Sequence, residues 1–349
     1  MSRPIGYYVH HHGDGHRQRA IAVGQALEHG ATLLGTGLAG RSGDLPVVEL
    51  PDDRLDDGFA GIDQTERPAS LHYAPVDHEG IRQRTALISR WIAEERPRLL
   101  VVDVSVEIAM LARLASVPTV YVRLSGKRLD KPHLDAFRGA AGLLAPFHEA
   151  LDDDETPDWL REKTFYAPLI NGVGATAGQI EEDVVLVVLG RGGGVSDGDR
   201  WAQAARAVPD RRWRVIGPCT VPRTLPPNLE LRGWVDDAAT LIGSAGIVVG
   251  AAGDGVVSAV LAHRRPFICL PEARPFDEQV SKARRLGSLG AAAVSLDWPE
   301  QSVWPKLLDA VRATSAWPRE LEAPCGSERV ARWLEALGQQ TTSSRSHIA

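Results

Sequence analysis

A chain of 349 residues, 44% apolar and 24% charged, can fill two ordinary domains with their own cores, and neither half has the composition of a disordered segment. The formal net charge of −6 argues against a nucleic-acid binder, and no window approaches the roughly 20 apolar residues that span a bilayer. The stretch Met1–Val9 is too short, and too soon followed by histidines, for a signal peptide. Cys219, Cys269 and Cys325 are odd in number and far apart, so the expectation is a soluble, reduced, cytoplasmic protein.

Ile5 to His10 reads as a short buried strand. The loop His11-His-Gly-Asp-Gly-His16 follows, then a helix with Ala20, Ile21, Val23 and Leu27 at helical spacing, ended by Gly30. Ala31–Gly35 and Pro46–Leu50 are further strand candidates. Residues 51–77 lack periodicity and are rich in Asp, Pro and Gly; a loop of that length is commonly functional. Ile81, Thr85, Ile88 and Ile92 mark a helix closed by Pro97. Leu99–Asp103 is a strand, Val106–Leu114 a helix, Pro118–Val122 a strand, with weaker strands at Gly142–Ala145 and Thr164–Tyr166.

Residues 167–182 are small and glycine-rich, a linker by composition, and the pattern then restarts. Asp183–Leu189 is a continuous apolar run, as in a strand covered on both faces. Arg214–Ile216, Leu229–Leu231, Ile247–Val249, Phe267–Leu270 and Ala292–Ser295 are strands. Helices begin near Asp199 as N-cap and cover Ala238–Ile242, Val256–His263, Glu278–Leu286 and Gln301–Ala313. Ser327–Leu337 is a last amphipathic helix and residues 339–349 a frayed tail. The fold class is α/β, two doubly wound Rossmann-like domains facing each other across a cleft. Their extents are 1–166 and 183–326, with 327–338 as the final helix.

Four segments carry polar chemistry. Gly190, Arg191, Gly192, Gly193 and Gly194 lie between a buried strand and a helix start, where backbone amides favour a phosphate. This is neither a Walker loop nor GxGxxG, because Val195 stands at the third glycine; a plain turn is the other reading. Gly250–Gly255 repeats the setting, with Gly253, Asp254, Gly255 and Val256 placed for close ligand approach or for tight strand–helix packing. Asp277, Glu278 and Gln279 offer the acceptors and amide that read sugar hydroxyls, or cap a helix. In the first half, His16 at a helix start is a candidate general base. Asp103 at a strand end, with Glu107 one turn on, is placed to orient a histidine or bind a hydroxyl. Adjacent strand residues point to opposite faces, so the histidine run is not expected to hold a metal. Arg123, Lys127, Arg128 and Lys131 read as a basic loop and Asp152–Asp154 as solvated surface.

In this order the pieces resemble the two-domain GT-B glycosyltransferases, in particular the bacterial peptidoglycan N-acetylglucosaminyltransferase family. Gly13-Asp-Gly-His16 matches the family's N-terminal glycine loop, Val188–Gly194 its strand–glycine loop, Gly233-Trp-Val-Asp236 its turn against the nucleotide base, and Val249–Gln279 its donor block. The resemblance implies a metal-independent, inverting transfer from a nucleotide-sugar donor to an acceptor hydroxyl, with no cofactor. Gly190–Gly194, Trp234, Val235, Gly253–Val256 and Asp277–Gln279 would bind the donor, and His16 would be the base. His12, Gly13, Asp14, Gly15, His72, Tyr73 and Glu107 would form the acceptor side. The acceptor would be a small molecule or a lipid or glycan; no basic amphipathic helix marks membrane docking, which leaves peripheral contact open. Where the family carries a ribose-binding glutamate, this chain has Ala259. Hydrolysis or epimerisation of a nucleotide sugar, or binding without turnover, are the competing readings.

Overall fold

Runs such as Leu99–Asp103 and Val184–Val188 are apolar almost throughout, so each must be covered on both faces, and the chain meets that demand with two parallel sheets wrapped in helices. The computed structural model of the protein describes residues 3–11, 14–56, 58–63, 67–170, 178–313, 318, 321 and 326–343. The first sheet holds β1 (Ile5–Val9), β2 (Thr32–Gly35), β3 (Val47–Glu49), β4 (Leu99–Asp103), β5 (Thr119–Val122), β6 (Gly142–Ala145) and β7 (Thr164–Tyr166), ordered β3-β2-β1-β4-β5-β6-β7. The second holds β8 (Glu181–Val188), β9 (Arg212–Ile216), β10 (Leu229–Gly233), β11 (Ala245–Gly250), β12 (Phe267–Cys269) and β13 (Ala293–Val294), ordered β10-β9-β8-β11-β12-β13. Each order reverses once, between β1 and β4 and between β8 and β11. Such a switch point opens a crevice at the carboxyl ends of the strands.

Alternate strand residues feed opposite layers. Tyr7, Leu33, Val101 and Val120 pack toward the helix Asp14–Ala26, while Tyr8, Leu34, Leu100 and Tyr121 pack toward Glu79–Glu95 and Val106–Leu114. In the second sheet Val185, Val187, Trp213 and Ile268 meet Trp201 and Trp304 on one side; Leu186, Val248 and Cys269 meet Val260 and Leu286 on the other. Burial raises the Cys269 thiol to about 12, which suits an inert core residue. The last helix, Gly326–Ser343, returns to the first sheet: Val330, Ala331 and Leu334 join its core, and the Trp333 ring stacks on Phe165 at 4.7 Å.

Several expectations are corrected. The helix Gly198–Ala207 is capped by Asp197, which accepts from the Asp199 N–H at 2.9 Å, because the chain turns two residues earlier than Asp199 suggested. A helix at Lys131–Gly139, capped by Asp130 and carrying a proline in its first turn, was not anticipated; it is short, and Pro132 reads as a breaker. The last helix continues to Ser343 through the start of the expected tail. Within the expected linker, residues 167–170 are buried, β8 already begins at Glu181, and residues 171–177 lie outside the described residues.

The expected acidic surface is also partly interior. Asp152 is 1% exposed and held by both terminal nitrogens of Arg123 at 3.0 and 2.6 Å, while the Tyr166 hydroxyl donates to it at 2.6 Å. Burial pushes its carboxyl up, but Arg123 and Tyr166 outweigh that and hold it below the usual value. Arg123 is therefore a structural cation rather than part of a solvated loop. Arg128 is buried too, while Lys127 and Lys131 stay exposed on Glu155 and Asp135.

Candidate active site

The two switch points face each other. From β1 the chain enters the helix Asp14–Ala26, which presents His16 in its first turn; β4 ends on Asp103 beside it. His16 Nδ1 lies 2.9 Å from Asp103 Oδ1. Asp103 is fully buried, and burial would raise its pKa. Arg19 and His16 overcome that and hold it at about 2, so the carboxylate stays charged. The residue after Asp103, Val104, has φ 56°, an uncommon conformation for a β-branched side chain. Strain of that kind persists where neighbouring structure fixes the backbone, here between a buried carboxylate and the Ser105 cap of the next helix.

Arg19, one turn after His16, was missed by sequence reasoning. Its Nη2 donates to Asp103 Oδ1 and Oδ2 at 3.1 and 3.0 Å and sits 2.9 Å from His16 Nδ1. Its Nη1 reaches across the cleft to Asp254 Oδ2 at 3.8 Å. Asp254 opens the helix Asp254–His263 after β11, with Gly253 as N-cap, and its other partner is the fully buried Lys282. The available signal was position: Arg19 is spaced with Val23, and Lys282 with Leu286, on core-facing helix sides where a cation needs a buried partner.

Around this centre the other candidate residues take definite places. Asp14 is gripped by Arg17 at 2.6 Å and by Arg41 at 3.2 Å. With His10, His11 and, from the turn after β8, Gly192, these residues line a cavity of about 320 Å³. The His10 ring stacks on His11 at 4.7 Å and lies 5.4 Å from His16; burial lowers its pKa to about 3, so it is neutral. His12 and Gly13 lie outside the described residues. Gly15 has open space beside it. Glu107 does not stand free: its Oε1 accepts from the N–H groups of His72 and Tyr73 at 2.5 and 2.8 Å, pinning the long loop to the helix after β4.

Across the cleft, Gly190–Gly194 form a single tight turn, Arg191–Gly193, four residues short of the next helix. Arg274 donates to the Gly192 carbonyl and pairs with Glu272 at 2.6 Å; a side chain at Gly193 would meet Glu272 at 2.2 Å. Trp234 is 44% exposed after Gly233, with Val235 packed toward the core. Gly255 has room on its open side, and Val256 packs toward the core.

The Asp277–Gln279 turn is committed differently from the sequence expectation. Glu278 pairs with Arg128 at 3.0 Å, its carbonyl accepts from Ser125 Oγ at 3.1 Å, and Gln279 Oε1 accepts from the Glu272 N–H at 2.9 Å. Phe276 and Asp277, both with positive φ, form the tip of this turn, and Phe276 packs against His133 and His72 of the first sheet's domain. The segment therefore joins the domains as well as bordering the cleft. Among the described residues, His72 with Asp130 and His133, and His11 with Asp52 and Asp53, group metal-ligand atoms within 4.8 Å. His133 already bonds Asp130 at 2.8 Å, Arg84 and His11 hold Asp53, and Arg54 holds Asp52.

No protein-family model matches the chain, and no curated protein sequence matches it. Solved structures do. The spinosyn forosaminyltransferase SpnP is 13% identical, with a TM-score of 0.69 over 97% of this chain and 100% of that one. MurG of Acinetobacter baumannii is 13% identical, with a TM-score of 0.63 over 96% and 99%. The spinosyn rhamnosyltransferase SpnG, complexed with thymidine diphosphate, is 17% identical, with a TM-score of 0.62 over 99% and 100%. At these identities the likeness establishes the fold: two Rossmann-like domains arranged as in the GT-B glycosyltransferases, as the sequence resemblance implied.

Proposed function

We propose that this chain is a glycosyltransferase that moves a sugar from a nucleoside diphosphate donor to an acceptor hydroxyl by direct, inverting attack. One observation carries the reading. A histidine 2.9 Å from a buried carboxylate stands at the switch point of one sheet, facing glycine loops at the switch point of the other. In the tautomer that carries its proton on Nδ1, turned toward Asp103, His16 Nε2 takes the proton of the acceptor hydroxyl as its oxygen attacks the anomeric carbon. The bond to the diphosphate breaks in the same step. The negative charge that develops there is offset by backbone N–H groups of the Gly190–Gly194 turn and by the N-terminus of the ten-residue helix Asp254–His263, so the chemistry requires no metal. Lys282 and Arg19 neutralise Asp254, which would otherwise repel a diphosphate at that helix end.

Trp234 supplies an exposed indole for the nucleotide base. Ala259 packs toward the core, so the ribose is read by other groups of the donor edge. The acceptor enters at the cavity lined by His10, Arg17 and Arg41. Its polar rim suits a small hydroxylated molecule or a glycan. The test is a panel of UDP- and dTDP-sugars, scored first by thermal stabilisation and then by release of the nucleoside diphosphate with and without alcohol acceptors. Release that depends on an acceptor, with inverted product, is expected. Free sugar released at the same rate without acceptor would favour a hydrolase, and stabilisation without release a binding protein.

A further inference from the structure

We propose that Arg19 is a positioning residue for the base: it balances the charge of Asp103 so that His16 stays neutral and able to accept a proton, and Asp254 of the opposite domain anchors it there. This rests on the assignment of His16 as the base. A buried carboxylate 2.9 Å from an imidazole draws a proton onto the ring, and an imidazolium cannot be a base. Arg19 removes that pull. Its guanidinium meets both oxygens of Asp103 and lies beside the His16 ring, 2.9 Å from Nδ1, so a second proton taken up at Nε2 would set an imidazolium against a guanidinium. Arginine suits the place because it does not lose its proton and its planar fork spans a carboxylate.

Asp103 and Asp254 are balanced by Arg19 and Lys282. Among the described residues beside the pair, His10 is kept neutral by burial, and burial likewise raises the Tyr7 hydroxyl and keeps it protonated. The Asp254 contact gives the arrangement a second property. Arg19 is held from both sides only while the domains meet, so the state of the base is tied to the position of the donor loop.

The test needs no substrate. Ring-¹⁵N-labelled histidine in the full chain reports the protonation of His16, assigned by its loss in His16→Ala. In Arg19→Met, His16 is expected to bind its proton about ten times more tightly than in the wild type, displacing its half-protonation upward by about one pH unit. Arg19→Lys, which keeps the charge, is expected to stay within about 0.3 unit of the wild type, well inside a tenfold change. Arg19→Gln keeps an amide N–H for Asp103 and serves where the Met variant does not fold. Identical titrations in wild type, Met and Gln variants would overturn the proposal. With a nucleotide sugar that the wild type turns over, the acid limb of the rate profile moves up in step in the Met variant; a uniform loss of rate at every pH would mark Arg19 as merely structural. A displaced titration in a chain that turns over no nucleotide sugar would support the charge balance and count against the transferase reading alone.

Discussion

His16 and Asp103 are separated by 87 positions, and their 2.9 Å contact is made by the switch point rather than by local sequence. Each was legible separately, one as a histidine opening a helix after a glycine loop, the other as an acid ending an apolar strand. Their partner Arg19 was not, since a cation on an amphipathic helix reads as surface until its buried acceptor is known. Asp103 also gives a pH prediction. Its folded pKa, about 2, lies below its ordinary value of 3.8, so its contribution to stability is complete above about pH 4 and is lost as pH falls through 2. Urea midpoints measured from pH 6 to pH 2 are expected to fall across that window, and Asp103→Asn to remove part of the slope. An unchanged slope in the variant would show that the carboxylate is not held by Arg19.

Among elements, the strands and most helices were readable to within a few residues at each end, because doubly wound sheets demand uninterrupted apolar runs with glycine and proline between them. The contacts between loops were not. Ser125–Arg128 clasps Phe276–Glu278: the Lys127 N–H donates to the Phe276 carbonyl at 2.7 Å, and Arg128 lies over the Phe276 ring. Local sequence showed only a basic loop and an acidic helix start. Gly126 is the weak point of the clasp, with φ +94°; a Cβ there would meet the Phe276 carbonyl at 2.4 Å and the Glu278 N at 2.9 Å. Both obstacles are backbone of the other domain, so Gly126→Ala is expected to separate the two loops. Hydrogen exchange at the Lys127 amide should then quicken by about tenfold or more, equivalent to roughly 1.4 kcal/mol of lost protection. Unaltered exchange would mean that the clasp tolerates the change.

The whole molecule places two crevices face to face and closes the arrangement with a helix that returns to the first sheet. Trp333 on that helix stacks on Phe165 and covers Gly142, where a Cβ would strike the indole at 2.7 Å. Trp333→Ala is expected to cost about 2–4 kcal/mol in chemical denaturation. A loss well under 1 kcal/mol would show that the returning helix is only loosely docked. Composition and strand–helix alternation announced two domains, but not which charges cross between them; Arg19–Asp254 and Arg128–Glu278 became visible only when the sheets were opposed. Comparing His16→Ala with the wild type, for acceptor-dependent release of nucleoside diphosphate and for nucleotide affinity, asks whether one domain holds a nucleotide sugar while the other supplies the base. A loss of turnover of about 10²-fold or more, with affinity changed less than about threefold, is the expected result. Turnover retained, or turnover and affinity lost together, would contradict it.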